Sequence, residues 1–204
     1  MKIKITETDL VQMEQRKRAN LINSIGGFKS VCLIGTTDVH GQSNLAIFNS
    51  IVHIGANPPL IGFIMRPDSV ERHTLANILE TGCYTINHLN EAIYSQAHQT
   101  SAKYPREVSE FNATDLHAEY KENCIAPFVK ESNVQMAIEF KQRIDLTINN
   151  TILIIGEIKQ LFFPENCWQA DGFLDIEKAG TIACSGLDSY HTTHQLERLP
   201  YAKP

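Results

Sequence analysis

Two runs decide the fold, Val31-Cys32-Leu33-Ile34-Gly35-Thr36-Thr37 and Asn44-Leu45-Ala46-Ile47-Phe48-Asn49-Ser50-Ile51-Val52-His53-Ile54, together with the Asp38-Val39-His40-Gly41 segment between them. Both runs are rich in β-branched and aromatic residues, and the segment joining them has turn chemistry, so the pair reads as two strands of a hairpin. The pattern recurs downstream. Asn57-Pro58-Pro59 breaks the chain before Leu60 to Met65, Cys83 to His88 forms a further strand, and Val134 to Ile148 and Thr151 to Phe162 flank a tight Asn149-Asn150 turn. Many short strands with hairpin punctuation and few helices predict a mainly β, closed or nearly closed antiparallel barrel.

The helical segments are few. One is expected from Asp9 to Ile22, capped by Asp9 and stopped by Gly26-Gly27. A second spans Thr74 to Glu80, where Leu75, Ile78 and Leu79 share one face, Thr74 is suited to the N-cap, and Gly82 is suited to a left-handed terminus. A third, about Glu91 to His98, runs into the polar segment Gln99-Thr100-Ser101-Ala102-Lys103-Tyr104-Pro105-Arg106, read as a functional loop. No repeat or linker divides the chain, so residues 1–204 read as a single domain with its core at about 20–190, a leading helix and a trailing arm.

Composition narrows the function. The chain has 204 residues, 18 Lys plus Arg against 23 Asp plus Glu, and a net charge of −5. That balance argues against nucleic acid, whose binders present a basic face. A small phosphorylated ligand is still compatible, because a few cations and backbone amides act locally. No apolar run approaches the roughly 20 residues of a membrane-spanning helix. Met1 to Leu10 lacks a signal-peptide core, so a cytoplasmic location away from membranes is expected. The five cysteines, Cys32, Cys83, Cys124, Cys167 and Cys184, never fall in C-x-x-C spacing and fit reduced thiols, with Cys32 and Cys83 expected in the core. His191 and His194 lack a third ligand in register, so no metal site is expected.

Motif scans exclude several site types. There is no G-x-G-x-x-G, no G-x-x-x-x-G-K-[ST], no H-E-x-x-H and no G-x-S-x-G. A bound nucleotide would need another phosphate holder. Met65-Arg66-Pro67-Asp68-Ser69-Val70-Glu71-Arg72-His73-Thr74 offers one, since two arginines and a hydroxyl precede a helix N-terminus. The alternative is that Arg66 and Arg72 are surface cations paired with Asp68 or Glu71.

A larger pattern joins these pieces. Asn44-Leu45-Ala46-Ile47-Phe48-Asn49-Ser50, Asn57-Pro58-Pro59-Leu60-Ile61-Gly62-Phe63, His73-Thr74-Leu75-Ala76-Asn77-Ile78, Tyr84-Thr85-Ile86-Asn87 and Ser109-Glu110-Phe111, in this order, resemble the flavin reductase-like, FMN-binding split-barrel family. Ser185-Gly186-Leu187-Asp188-Ser189-Tyr190 is similar to its closing element, and the resemblance spans most of the chain.

The resemblance implies a six-stranded split barrel binding FMN non-covalently, as a homodimer with the flavin near the interface. By position, Phe48, Asn49, Ser50 and Ile51 would line the isoalloxazine, Thr100, Ser101, Ala102, Lys103 and Tyr104 would contact the ring or ribityl-phosphate, and Arg66, His73 and Thr74 would hold phosphate. The implied activity is an oxidoreductase in which NADH or NADPH delivers hydride to flavin N5, with small molecules as electron acceptors. Such chemistry needs positioning more than a strong base, consistent with the lack of an obvious Asp/His or Cys/His constellation. On pattern alone Phe48 fits a core residue as well as a cofactor wall. A flavin carrier or sensor without turnover, or a barrel for another small molecule, are the alternatives.

Overall fold

The computed structural model describes residues 1–69 and 71–203. Two short helices lead, α1 (Glu7–Gln12) and α2 (Gln15–Ile25), followed by strands β1 (Lys29–Ser30), β2 (Cys32–Thr37), β3 (Ser43–Phe48), β4 (Ile51–Ala56) and β5 (Pro59–Met65). Then come α3 (His73–Thr81), β6 (Cys83–His88), α4 (Tyr94–Gln99), α5 (Glu110–Ala113), the hairpin β7 (Ala118–Lys121) and β8 (Cys124–Val129), and the long pair β9 (Gln135–Leu146) and β10 (Thr151–Phe162). A 3-10 turn (Glu165–Cys167) leads to the C-terminal hairpin β11 (Ala183–Ser185) and β12 (Ser189–His191).

The main sheet is antiparallel and seven-stranded, in the order β3-β2-β6-β9-β10-β5-β4. Its two edge strands are consecutive in the chain, separated only by Asn49-Ser50. Phe48 still pairs with Cys32 of β2, while Ser50 already accepts the Ile64 amide and Ile51 pairs with Phe63 of β5. The sheet must therefore curl until its edges meet. The expected single strand from Asn44 to Ile54 is thus two strands bent at a polar pair, and the expected six staves become seven for the same reason.

Strand β2 is buried on both faces because it separates two cores. Cys32 and Ile34 face a cluster with Phe63, Tyr84, Ile86, Ile138, Ile152 and Ile154, and α3 adds Leu75 and Ile78 to it. Val31 and Leu33 face Leu45, Leu89, Ile93, Phe111, Val129 and Ile182. This is the period-two alternation of a strand, with apolar residues on either side. β8 lies across β2 and β6, close enough that an added Cβ on Gly35 would strike the Pro127 carbonyl.

Local chemistry moved several helix boundaries. The leading helix is two helices, because Thr6 and Glu14 each cap a start: Thr6 accepts the Asp9 amide, and Glu14 accepts those of Arg16 and Lys17. Asp9 bonds back to the Thr6 amide and completes a capping box, so it lies inside α1 and does not begin it. At Glu91 a turn built on Asn90, whose side chain accepts the Ala92 amide, delays the helix to Tyr94. α3 ends at Gly82 with φ +69°, where left-handed backbone favours glycine. β7 and β8 are strands that the sequence reading missed, their run interrupted by Asn123 at φ 62° and by Pro127. Among the described residues no helix is long and apolar enough to cross a membrane.

Candidate functional site

β3 is the common floor of the site. α3, α4 and α5 all pack against it. Asn44, at its start, donates to the hydroxyls of Thr74 at 3.0 Å and Thr36 at 3.3 Å, and Asn77 donates to the same Thr36 hydroxyl at 3.1 Å. This buried network fixes the first turn of α3 to β3. It also corrects the expected cap: Arg72 occupies the N-cap position without a side-chain cap, and Thr74 lies inside the helix with its hydroxyl turned into the protein. That hydroxyl accepts from Asn44 and keeps its own proton to donate.

The segment ahead of α3 is folded back on itself. Arg72 donates through Nε and NH2 to the Pro67 carbonyl, both at 3.3 Å, so Arg66 and His73 flank a closed loop. The loop's two acids are held from outside. Asp68 pairs with Arg143 at 2.9 Å and Glu71 with Arg106 at 3.0 Å, so neither makes the pairs with Arg66 or Arg72 that the sequence left open. Arg106 also donates to the Asn77 side-chain oxygen Oδ1 at 3.3 Å and lies 3.7 Å from Asp38. Among the described residues Arg66 has no carboxylate partner and is exposed. The local field therefore favours an anion despite the net charge of the chain.

Phe48, Asn49, Ser50 and Ile51 occupy the bend between β3 and β4. Phe48 packs edge-on to Phe63 at 4.8 Å, partly buried, so one side of its ring belongs to the core. The Ser50 hydroxyl donates to the Ile64 carbonyl at 2.8 Å, two residues before Arg66. Asn49 donates to the Gly186 carbonyl at 3.1 Å, and Lys29 donates to the same oxygen at 2.8 Å. The C-terminal hairpin is thereby tied to the bend. Its Tyr190 hydroxyl meets His98 Nδ1 of α4 at 2.8 Å, and His191 bonds Ser185. Among the described residues no cluster of three or more His, Cys, Asp or Glu side chains is arranged to hold a metal ion.

The 100–104 segment stands apart. The Thr100 hydroxyl is buried and donates to the Ala97 carbonyl, which closes the end of α4. Ser101, Ala102 and Lys103 are exposed, and the Tyr104 hydroxyl accepts from Gln99. Among the described residues no hydrogen bond or ion pair joins this segment to the bend, to Arg66 or to His73 and Thr74. Within one chain, hydrogen bonds thus tie the bend to β5 ahead of the 66–74 loop, and among the described residues none adds the 100–104 segment to them.

Two residues without an assigned role turn out to organise the site. Arg106 neutralises Glu71, and Glu110 is buried with its carboxylate accepting the Leu45 amide at 2.8 Å. Burial holds the Glu110 carboxyl above the ordinary range, against the pull of the Leu45 amide and of His73 nearby. The only sequence signal for it is its place in Ser109-Glu110-Phe111.

Comparison with known proteins agrees with this geometry. The model of the flavin reductase like domain matches residues 25–174. An uncharacterized protein, YwrF, of Bacillus subtilis (strain 168) is 24% identical over 148 residues, covering 70% of this chain and 72% of its own. Among solved structures, a protein from Shewanella frigidimarina NCIMB 400, named for flavin reductase and a split-barrel domain, is 49% identical with a TM-score of 0.95, covering 98% of this chain and 100% of that one. Nitrilotriacetate monooxygenase component B from Bacillus cereus shares the fold at 22% identity and a TM-score of 0.84, over 98% of this chain and 99% of that one. The split barrel closed at Asn49-Ser50, and a family match that runs from the end of α2 to beyond β10, lead to one assignment: the chain belongs to the flavin reductase-like domain family.

Proposed function

We propose that the protein binds FMN non-covalently and works as an NAD(P)H-dependent flavin reductase, with a homodimer completing each site. The observation that carries this reading is the charge arrangement at the 66–74 loop, where Arg143 and Arg106 neutralise Asp68 and Glu71 and leave Arg66 beside a helix start. The residues present fit a phosphomonoester. Arg66 supplies an exposed cation, and the α3 N-terminus supplies main-chain N–H groups and the positive end of a nine-residue helix.

FMN, when bound, supplies a ring that accepts a hydride at N5. The chain's part is to hold and orient. Phe48 offers one ring face backed by Phe63, and main-chain groups of Asn49, Ser50 and Ile51 offer donors to the polar edge where reduction places charge. A second copy brings Thr100 to Tyr104 to the ligand, in keeping with the lack of hydrogen bonds from this segment to the bend among the described residues of one chain. The Shewanella protein's 49% identity across the whole chain supports a flavin-linked activity. The reaction proceeds in solution without membrane or nucleic acid, and a cytoplasmic location is proposed on the same grounds.

The test is optical. Purified protein titrated with FMN should quench flavin fluorescence and perturb its visible bands, and anaerobic NADH or NADPH should then bleach the visible absorption of the oxidised flavin. A protein that leaves added FMN unchanged overturns the cofactor, and a bound flavin that neither nicotinamide bleaches overturns the reductase in favour of a carrier. Sedimentation of the flavin-bound protein as a monomer overturns the shared site.

A further inference from the structure

The five cysteines are not equivalent. Cys83 at the start of β6 and Cys124 at the start of β8 lie with their sulfurs 3.3 Å apart, on strands packed against one another. A disulfide measures about 2.05 Å, so bonding them asks for a sulfur movement of little more than an ångström. Contrary to expectation Cys83 is not a core residue: it is half-buried at the margin of a small apolar cluster formed by Cys124, Ala126, Phe128 and Ala137. Beside the pair opens a cleft of about 590 Å³, lined by Thr81 and Ile125, the near sequence neighbours of the two cysteines, and by Thr37, Asp38, Val39, Gly41 and Tyr120.

We propose that Cys83 and Cys124 form a peroxide-responsive thiol pair, with Cys83 the attacking sulfur and Cys124 the resolving one. Two features single out Cys83. Its sulfur is only half-buried and lies 3.3 Å from the Cys124 sulfur, and that contact, helped by the main chain at Ala126 and Ile125, favours a thiolate there and holds its pKa below that of an ordinary thiol. Cys124 is buried beside it and pushed the opposite way, both by that contact and by burial, so it stays a protonated thiol until a partner sulfur is activated. The contrast with Cys32 is plain: burial, with the Cys184 sulfur adding to it, pushes its thiol up to about 12.

Hydrogen peroxide is the oxidant. The Cys83 thiolate attacks a peroxide oxygen; the S–O bond forms, the O–O bond breaks, the sulfur loses two electrons to the peroxide, and the departing hydroxide takes a proton to become water. Cys124 then attacks the sulfenic sulfur. The S–S bond forms, the S–O bond breaks, and the second hydroxide leaves with the Cys124 proton as water. The product ties β6 of the barrel to β8, and a dithiol reductant restores both thiols.

Trypsin places the two cysteines in separate peptides, His73–Lys103 and Glu122–Lys130, each with a single cysteine. The full chain is exposed to hydrogen peroxide, its remaining thiols are blocked with N-ethylmaleimide, and the digest is weighed. The expected product is these two peptides linked, about 2 Da below their summed thiol masses, and separated again by a dithiol reductant. In the unoxidised chain iodoacetamide at neutral pH should alkylate Cys83 at least about ten-fold faster than Cys32, Cys167 or Cys184. In Cys124→Ser the Cys83 sulfenic acid should persist and be captured by dimedone. Cys83 recovered as a free thiol after peroxide, links scattered among other cysteines, or alkylation no faster than at the buried thiols each overturn the pair. The first two measurements use the unaltered chain, so the outcome does not depend on the variant folding.

Discussion

Glu110 Oε2 accepts the Leu45 amide at 2.8 Å. A carboxylate carried by α5 thus takes the place of a neighbouring strand at this point on the open edge of β3, and the Ser109 hydroxyl meets that of Ser43 at 2.8 Å just beside it. Removing the acceptor leaves a buried N–H without a partner. Glu110→Ala should lower unfolding free energy by about 1–3 kcal/mol, and Glu110→Gln, which retains an acceptor, by less. Urea denaturation followed by circular dichroism measures both.

The 66–74 loop makes a prediction that separates phosphate from ring. Arg66→Ala should weaken FMN binding about ten-fold, which corresponds to about 1.4 kcal/mol, while leaving riboflavin binding unchanged. Fluorescence titration of the two ligands decides it, and equal losses would place the phosphate elsewhere. Arg66 is preferred to Thr74 for this test because the Thr74 hydroxyl also accepts from Asn44, so its loss would disturb α3 itself.

Arg106 should act on the same ligand through charge alone. Arg106→Ala frees Glu71 and Asp38 near the helix start, and FMN affinity should fall several-fold at low salt. The deficit should shrink as salt is raised, since about 0.15 M screens charges over roughly 8 Å. A salt-independent loss would point to altered packing.

Gly35 is needed for the space it leaves. A Cβ there would meet the Pro127 carbonyl and the Thr85 hydroxyl, which are themselves hydrogen-bonded at 2.6 Å. Gly35→Ala should destabilise by about 2–3 kcal/mol, seen as a lower urea midpoint. Gly156 is a second such position, with the Tyr84 hydroxyl and the Ile138 side chain in the way.

His88 sets an acid limit. Burial holds its pKa near 4 against an ordinary 6.5, and its Nδ1 meets the Thr181 hydroxyl at 3.1 Å. The folded state therefore keeps it neutral while the unfolded chain takes up a proton. Its contribution is full above pH 6.5 and is lost as pH falls from 6.5 towards 4, on the order of 2–3 kcal/mol in all. Melting temperatures measured across that window should fall less steeply in His88→Asn.

Much of this was legible before the structure because it is local. Thr151 to Phe162 and Cys83 to His88 are rich in β-branched and aromatic residues, and the strands there have those same limits. Gly82 ends α3 as its flexibility requires. The rest depends on partners distant in sequence. The Arg143–Asp68 pair spans 75 residues and the Asn49–Gly186 bond 137, and no periodicity carries such information. The residue type of Thr74 suits a cap, but Asn44 claims its hydroxyl. Trp168 is exposed and lies edge-on to Phe163 at 6.0 Å.

The bend at Asn49-Ser50 has a mechanical side. These two residues are a splice at which one strand exchanges neighbours, so the β2–β3 and β4–β5 ladders share a single fastening. A ligand that grips the splice holds both. Saturating FMN should then slow amide exchange along both ladders by the same factor, turning occupancy of one short dipeptide into the tightness of the whole ring.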